Sequence, residues 1–362
     1  MPSFQTIAPI ADELLEKVGF IWHHDGELEY LVKEQLIEIK KEEAEAYANA
    51  TEELYAMYEK GAEYVIEHEL FDVLDIPKKL IPLIKKSWLE DRDKHLYGRF
   101  DLSGGIDSKP IKLIEFNADT ATLLFESCVI QAMLFEYNNL QKSEQFNKIY
   151  EALSAKFKKI SQSKKGAFSP FVFASVEGIA EEEVTTKLLE SMAKDAGLLV
   201  SYSTLEDIDL NTEYDFFFKL YPWEDMEGFE ANTKTTMINP AYTLLYQSKG
   251  MLAILYKLFP ESPYLLETSF EPIEKKYVRK RMFGREGANI EIVENAEAIL
   301  VTDGEYAHYK SVYQEYTPFV RDEAGLYYQA GVFYSDYACG LGFRRGREIL
   351  DNMSQYIGHI IK

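Results

Sequence analysis

Between residues 171 and 221 the sequence alternates apolar runs with one amphipathic stretch. The run FVFASV from Phe171 predicts a strand, and Thr185–Ala196 predicts a helix. The runs Leu198–Tyr202 and Asp215–Tyr221 predict two more strands. Because strands that alternate with helices are typical of a sheet covered by helices, we expect an α/β layer here.

The sequence on either side of this layer predicts helices and a mostly antiparallel sheet. Apolar residues recur at three- and four-residue steps through much of Leu31–Glu67, which predicts one long helix. Helices are also expected over Leu123–Leu140 and Tyr242–Leu258. Four strands are expected in the last third of the chain: Tyr277–Met282, Asn289–Val293, Val312–Tyr316 and Leu326–Tyr334.

A loose hairpin is predicted near the end of the first third. Two strand-like runs, His95–Leu102 and Ile111–Asn117, flank the turn-rich segment SGGIDSKP. Side chains two residues apart on a strand point to the same face of a sheet. Arg99 and Asp101 are therefore expected to share a face on the first strand.

The second strand of this hairpin carries Glu115 and Asn117, also two residues apart. Together with Asp101 they offer two carboxylates and one amide, which are the hard oxygen ligands that Mg²⁺ prefers. A solvated cluster of surface ion pairs would have the same spacing. The pattern alone leaves both interpretations open.

The segment GREGAN, Gly284–Asn289, separates two predicted strands. Its two glycines permit a tight loop whose backbone N–H groups can approach an anion, although such a pair more often marks a simple turn. Lys280 precedes the loop and Arg285 lies within it, which favours a phosphate ligand. Lys249 is another candidate cation. The segment does not match a P-loop or a dinucleotide-binding motif.

Charge and composition narrow the classes of partner. The chain has 362 residues, with 39 basic against 61 acidic, giving a net charge of −22. This field disfavours nucleic acid but not a small polyanion or a cationic substrate. Two cysteines, and apolar runs far shorter than a membrane span, favour a protein of the cytoplasm with no membrane partner. The N-terminus does not resemble a signal peptide.

An ordered set of motifs resembles the synthetase domain of the glutathionylspermidine synthase family, a group of ATP-grasp ligases. The motifs run in the order of the family and span about residues 90–345: YGRFDL, LIEFNADTAT, KLYPWE, NPAYTLLYQSK, LFPESPYLL, YVRKRMFGREGANI, YQEYTPF and GLGFR. The chain is most similar to short, stand-alone members that have no amidase domain.

The resemblance implies an α/β (α+β) ATP-grasp fold with a permuted order of motifs and an additional pre-ATP-grasp α/β subdomain. Residues 1–165 would form an N-terminal helical region with the hairpin that carries the metal-site motif. Residues 166–235 would form the substrate subdomain, and residues 236–362 the nucleotide-binding lobe with the phosphate loop.

The resemblance also implies roles for individual residues. Arg99 and Arg344 would be catalytic, and ATP and Mg²⁺ would be the cofactors. The magnesium ligands would be Asp101, Glu115 and Asn117. Nucleotide contacts would come from Arg99, Lys249, Lys280, Gly284, Arg285, Gly287, Gln314, Glu315 and Tyr316, the last three at an adenine-binding hinge. Substrate contacts would come from Thr120, Thr122, Glu181, Glu182 and Asp225.

The implied function is an ATP- and Mg²⁺-dependent acid–amine ligase that forms an amide through an acyl phosphate. Its substrates would be a small acid and an amine, such as a peptide or amino acid and a polyamine. Asp225 and the RGREIL segment after Arg344 depart from the family pattern on the substrate side. An alternative is therefore a catalytically inactive nucleotide-binding module that acts through a partner.

Overall fold

The computed structural model describes residues 1–26, 28–162, 170–209, 212, 214–226, 234–351 and 354–362. The predicted domain boundary at 165/166 lies outside these residues. Within the part described, none of the helices is both long enough and apolar enough to span a membrane.

The described residues form twenty strands, some of only two residues. They are β1 (Ser3–Thr6), β2 (His24–Asp25), β3 (Leu28–Glu29), β4 (Gln35–Ile39), β5 (Gly98–Ser103), β6 (Lys112–Asn117), β7 (Pro170–Ser175), β8 (Leu199–Thr204), β9 (Phe216–Leu220), β10 (Thr236–Ile238), β11 (Thr268–Ser269), β12 (Tyr277–Arg281), β13 (Glu291–Glu294), β14 (Glu297–Val301), β15 (Ser311–Glu315), β16 (Val320–Arg321), β17 (Tyr327–Tyr334), β18 (Ala338–Gly346), β19 (Gln355–Ile357) and β20 (His359–Ile361).

Eight α-helices accompany these strands in the described ranges. They are α1 (Asp12–Lys17), α2 (Lys41–Glu67), α3 (Ile81–Glu90), α4 (Gln131–Tyr137), α5 (Ile149–Gln162), α6 (Ala180–Asp195), α7 (Thr243–Gln247) and α8 (Met251–Leu258). A π-helical turn, Glu126–Ile130, leads directly into α4.

The largest sheet joins distant parts of the chain. Its strand order is β19-β18-β17-β5-β6, with β16 paired to β17, so the predicted hairpin β5–β6 lies beside strands from the C-terminal third. The pairing is antiparallel throughout this path. Helix α2 packs against β17 and β18 and against α7 and α8, and its stripe of Ala, Tyr, Leu and Met side chains is buried there.

Two further sheets have four and five strands. The first, β10-β9-β7-β8, is parallel, and α6 packs on β7 and β8. All five residues of β9, FFFKL, are buried, as expected for a parallel strand covered on both faces. The second, β11-β15-β12-β13-β14, is antiparallel. The predictions of an α/β layer and of a mostly antiparallel last third are confirmed.

A third small sheet, β1-β4-β20, brings the N-terminal segment beside the last strand of the chain. Strand pairing thus connects segment 1–165 to segment 236–362 both here and in the largest sheet. The division into 1–165, 166–235 and 236–362 stays a prediction.

The four predicted helices differ from the structure, two of them mainly in their bounds: α6 begins at Ala180 rather than Thr185, and the helix expected over Leu123–Leu140 is the π-helical turn followed by α4, which ends at Tyr137. The other two differ more. The helix expected from Leu31 begins at Lys41, because Gln35–Ile39 pairs with β1 and β20 as a strand. The helix expected over Tyr242–Leu258 is broken between Gln247 and Met251. At the break, the Ser248 Oγ donates to Leu74 O at 2.8 Å, and the Lys249 N–H donates to Met282 O at 2.9 Å. Contacts with other segments outweigh the local helical pattern there.

Candidate functional site

The β5–β6 pair brings the four predicted hairpin residues together. In its register Arg99 lies opposite Asn117, and Asp101 lies opposite Glu115. The Asn117 Nδ2 is 3.1 Å from Asp101 Oδ2 and 3.4 Å from Glu115 Oε1. The three oxygen-bearing side chains therefore form one cluster, as the spacing predicts.

Arg99 is buried and held by three hydrogen bonds. Its Nε and Nη2 donate to the two carboxylate oxygens of Asp101 at 2.6 and 3.0 Å, and its Nη1 donates to Thr122 O at 2.7 Å. Burial opposes the charge of the guanidinium, but Asp101 outweighs it and raises the pKa of Arg99. A rigid, permanently charged group results beside the carboxylates.

Two lysines approach Glu115 from other elements. Lys249, at the break between α7 and α8, lies 3.0 Å from Glu115 Oε2 and donates to Gly284 O at 2.6 Å. Burial alone would favour the neutral carboxyl, but Lys249 and Lys280 together lower the pKa of Glu115 to about 2. Glu115 is therefore ionised at neutral pH.

Lys280 on β12 is held in place by two groups from other strands. Its Nζ donates to Gln314 Oε1 at 2.6 Å and to Ile114 O at 3.0 Å. Gln314 is itself held by donating from Nε2 to Leu113 O at 3.0 Å. Burial lowers the pKa of Lys280 to about 8, so bringing a polyanion close would favour its charged form.

These residues line two adjoining clefts. The first has a volume of about 800 Å³ and is lined by Lys249, Lys280, Gly284, Gln314, Glu315 and Tyr316, among others. The second has a volume of about 1470 Å³ and is lined by Arg99, Asp101, Asn117, Thr120, Thr122, Glu181 and Arg344, among others. Glu115, Arg285 and Gly287 line both clefts.

The loop Gly284–Asn289 forms the shared wall of the clefts. Gly287 has φ +69°, and a Cβ at this position would lie 2.5 Å from Leu350 O, so glycine is required by both conformation and space. Arg285 is paired with the buried Glu224, and its Nη1 lies 3.9 Å from Asp225 Oδ2. Arg285 thus anchors the loop, and Arg285, Glu286 and Gly287 all line both clefts.

The predicted adenine-binding hinge has a specific pattern of backbone hydrogen bonds. The Glu315 N–H donates to Glu267 O at 2.7 Å, and the Tyr316 N–H donates to Lys276 O at 2.9 Å. Both N–H groups therefore already donate hydrogen bonds within the chain. Thr317, which also lines the first cleft, has no hydrogen bond from its N–H to another described residue. It is the amide in this segment that is available to a base edge.

The second cleft combines positive and negative side chains. Arg344 on β18 donates from Nη2 to Asp351 O, and its Nε is buried without a partner among the described residues. Glu181, at the start of α6, adds an acidic side chain that can ionise when a cation binds beside it. Burial, together with nearby Glu126, raises the pKa of Glu181 to about 8. The cleft can therefore hold both an anionic and a cationic group.

Two predicted substrate residues are not among those lining either cleft. Glu182 is next to Glu181, but its Oε2 is buried without a hydrogen-bond partner among the described residues, and burial raises its pKa to about 7. The Asp225 Oδ2 lies 3.9 Å from the Arg285 Nη1, so its contact with the site is through this arginine. Their substrate roles stay predictions.

Glu126 is a site candidate that the motifs do not include. It is fully buried, and its Oε1 accepts from Trp22 Nε1 at 2.9 Å and Tyr30 OH at 3.0 Å. Its Oε2 has no partner within the described ranges, and burial raises its pKa. The signal in the sequence was a lone acidic residue in the apolar run LLFESCVI. Because a glutamate is rarely fully buried unless it is paired, an acidic residue within a predicted buried helix indicates a specific role.

A buried network positions the segment that follows Asn117. The Lys219 Nζ lies 3.0 Å from Asp119 Oδ1, and the Trp223 N–H donates to Asp119 Oδ2 at 2.9 Å. The Asn239 Nδ2 donates to Asp119 O at 3.1 Å. These contacts tie the KLYPWE motif to the segment that carries Thr120 and Thr122, and so explain its presence among the motifs.

The donor set fits a magnesium ion. Asp101 and Glu115 supply four carboxylate oxygens, and rotating the Asn117 amide by half a turn exchanges Nδ2 for Oδ1 at the position 3.1–3.4 Å from both. Oxygen-only ligands from one or two carboxylates suit Mg²⁺ rather than zinc. In this structure Arg99 and Lys249 contact these carboxylates, so positively charged groups lie directly beside the proposed metal ligands.

Comparison with known proteins gives a family match over nearly the whole chain. A family model described as "Glutathionylspermidine synthase preATP-grasp" matches residues 3–362. A Haemophilus influenzae protein, named provisionally as an acid–amine ligase, is 29% identical over 98% of both chains.

Longer relatives match over part of their length. The bifunctional glutathionylspermidine synthetase/amidase of Escherichia coli is 26% identical over 74% of this chain and 49% of its own. The trypanothione synthetase of Crithidia fasciculata is 22% identical over 82% of this chain and 51% of its own. The chain thus spans about half the length of these two relatives.

One solved structure has a similar fold along the whole chain. It is a glutathione synthetase-like effector from Globodera pallida, with a TM-score of 0.62, 10% sequence identity and 98% coverage of both chains. At that identity the likeness concerns the fold alone.

Proposed function

Because the chain belongs to the glutathionylspermidine synthase pre-ATP-grasp family, we propose that it is an ATP- and Mg²⁺-dependent ligase that joins a carboxylate to an amine. The named relatives are ligases or synthetases. The observation that carries the proposal is the cluster of Arg99, Asp101, Glu115, Lys249 and Lys280, which lies where the two clefts meet.

The first cleft is the proposed nucleotide site. Lys249 and Lys280 supply fixed positive charge for phosphates, and the loop Gly284–Asn289 would cover them. The Thr317 N–H would donate to the base edge in place of Glu315 and Tyr316. The metal would be held by Asp101, Glu115 and Asn117. We propose an ATP-grasp arrangement with a permuted order of motifs, in which the metal ligands precede the phosphate lysines in the chain.

The second cleft is the proposed site of the acid and the amine. When bound, ATP supplies the phosphoryl group that activates the acid as an acyl phosphate, which the amine then converts to an amide with release of phosphate. Arg344, Thr120 and Thr122 would orient the acid. Arg99 would neutralise charge on the transferred group, since its guanidinium is already held rigidly at the cleft junction.

Glu181 has the properties required to serve the amine. An amine must lose a proton to attack, and a carboxyl with a pKa of about 8 can accept a proton near neutral pH. Glu126 is a second buried carboxyl close to it, and because both pKa values are raised, a bound cation would favour the ionised forms of both groups. The pair would also favour cationic amines, including polyamines, over neutral ones. We propose a small acid, either a peptide or an amino acid, and an amine as the substrates.

No observation favours the alternative of an inactive nucleotide-binding module. A module that only bound nucleotide would need neither Arg99 clamped beside the metal ligands nor a second cleft with Arg344 and Glu181. The departures at Asp225 and after Arg344 concern substrate identity, and Asp225 does not line the clefts.

ADP release tests the proposal. Glutathione, short peptides and amino acids are incubated with Mg·ATP, each with and without polyamines and amino acids as the amine. We expect ADP release that depends on one acid and one amine together. ATP binding without amine-dependent release for any pair would contradict the ligase assignment. The matched control is the same panel with Glu115→Gln.

A further inference from the structure

A second cluster of potential metal ligands lies where α1 meets the β2–β3 hairpin. Glu16, His23 and His24 place one ligand atom each within 4.8 Å of one another. Glu16 and His24 are exposed, whereas the His23 side chain has no exposed surface. None of these residues lines the two clefts described above.

His23 provides an independent indication of a ligand. Both of its ring nitrogens are buried, and neither has a hydrogen-bond partner among the described residues. Nε2 lies 3.9 Å from Glu16 Oε1, and Nδ1 lies 3.8 Å from Asp12 Oδ1, both too long for a hydrogen bond. A buried imidazole with two unsatisfied nitrogens is costly unless something binds to it.

We propose that Glu16, His23 and His24 bind a divalent transition metal, with Zn²⁺ as the best match. Two imidazole nitrogens and one carboxylate suit zinc, while Mg²⁺ and Ca²⁺ require oxygen ligands. His23 would coordinate through Nε2, which faces Glu16. The Nδ1–H would then donate to Asp12, the usual outer partner of a metal-bound histidine. Water would complete the coordination.

The position of this site gives it a structural consequence. Lys33 bridges Asp12 and Glu29, with Nζ 2.7 Å from Asp12 Oδ1 and 3.3 Å from Glu29 Oε1. Glu29 lines the second cleft together with Trp22, Leu28 and Tyr30, all on the segment that contains His23 and His24. Metal binding would therefore tie the β2–β3 hairpin to α1 and restrain one wall of that cleft.

Zinc titration of the metal-free protein tests the proposal without an activity assay. The protein is stripped with a chelator and titrated calorimetrically with Zn²⁺ in excess Mg²⁺, which keeps oxygen-only sites filled. We expect one zinc site per chain that Mg²⁺ does not displace. His24→Ala and Glu16→Gln each remove an exposed ligand, so the fold is retained and affinity falls by at least about tenfold.

Matched controls use residues of the same types elsewhere on the surface. Glu13→Gln lies on the same helix α1, and His68→Ala removes an exposed histidine at the end of α2. Both should bind zinc as the unsubstituted protein does. Asp12→Asn should weaken binding by about tenfold through His23. Hydrogen exchange of residues 20–24 and 28–33 should slow on zinc addition, but not in His24→Ala.

The proposal is overturned if the unsubstituted protein binds no zinc, or if Mg²⁺ competes for the site. It is equally overturned if His24→Ala and Glu16→Gln bind as tightly as their controls. Because every readout is binding or exchange, these outcomes are independent of whether the ligase assignment is correct.

Discussion

Glu115 takes part in both the proposed metal site and the proposed phosphate site. It lines both clefts, belongs to the oxygen cluster with Asp101 and Asn117, and pairs with Lys249 at 3.0 Å. Its charge is secured by two lysines rather than by solvent. A single carboxylate thus links the proposed metal site to the proposed phosphate site.

Replacing Glu115 with Gln should therefore lower turnover strongly while leaving the fold intact. The amide keeps the shape of the side chain but removes a metal ligand and the negative charge between Lys249 and Lys280. We expect ADP formation to fall by about 10²–10³-fold, as for loss of a strong electrostatic contact in other enzymes. Steady-state ADP release measures this. Glu294→Gln, exposed on β13, is the control, and equal turnover in both variants would refute the metal role.

Lys280→Met should act on nucleotide binding more than on folding. The methionine retains the packing of the buried side chain but removes the ammonium that Gln314 and Ile114 position. We expect the KM for ATP to rise by about tenfold or more, because a charge-assisted contact to phosphate is lost. Lys257→Met on exposed α8 surface should leave the KM unchanged. An unaltered KM in the Lys280 variant would remove it from the site.

At the scale of secondary-structure elements, β17 supports the site through an absent side chain. Gly331 on β17 lies opposite Asp101 on β5. A Cβ at position 331 would lie 2.9 Å from Arg99 Cδ, which is closer than side chains pack. Position 331 on β17 therefore lacks a side chain because the Arg99 side chain lies directly beside it.

Gly331→Ala should consequently displace Arg99 and lower kcat. We expect a loss of about tenfold, with little change in the KM for ATP, because the nucleotide lysines are on other elements. In an Arg99→Ala background the same change should have no further effect, since the residue it displaces is gone. Additive losses in the double variant would show that Gly331 acts elsewhere.

Element by element, the sequence predicts what depends on local pattern and misses what depends on distant contacts. The strands β7 and β12 and the hairpin β5–β6 are found from alternation and turn residues. The strand Gln35–Ile39 is missed because its partners, β1 and β20, lie at the two ends of the chain. The break at Ser248–Gly250 is missed although it carries Lys249, because contacts with Leu74 and Met282 create it.

The residues of the candidate site also fall into those that a local pattern or motif predicts and those that depend on distant contacts. Arg99, Asp101, Glu115 and Asn117 follow from strand periodicity, and the lysines follow from the family resemblance. Glu126 could not be assigned from sequence, since it acts through contacts with Trp22 and Tyr30 that only the folded chain creates. Gln314 is assigned from the resemblance to the hinge, but its side-chain contact with Lys280 is seen only in the folded chain. The family pattern finds ligand-facing residues more readily than the residues that position them.

At the scale of the whole molecule, burying carboxyls in the second cleft makes stability depend on pH. The pKa of Glu181 is raised to about 8 and that of Glu182 to about 7, from an ordinary value of 4.5, chiefly by burial. The folded protein therefore holds protons that the unfolded chain releases between about pH 4.5 and pH 8. Through these residues, stability is greatest at low pH and is lost as the pH rises through that window.

The double substitution Glu181→Gln and Glu182→Gln should remove this loss. We expect the free energy of unfolding at pH 8 to rise relative to the unsubstituted protein, by on the order of 1 kcal/mol, with no comparable gain at pH 5. Urea unfolding at the two pH values measures the difference. Glu183→Gln, which pairs with Lys187 on the surface of α6, should show no such dependence. An equal effect at both pH values would contradict the protonation account.

The central claim is that the acid is activated by phosphorylation before the amine attacks it. An acid labelled with ¹⁸O in its carboxylate tests this directly, because the displaced phosphate retains one carboxylate oxygen. With Mg·ATP and the amine that supports ADP release, mass spectrometry of the phosphate should find one ¹⁸O per molecule, in equal amount to the amide formed. Phosphate without ¹⁸O, released at the same rate with and without amine, would mean hydrolysis of ATP by water and would contradict the proposed ligase.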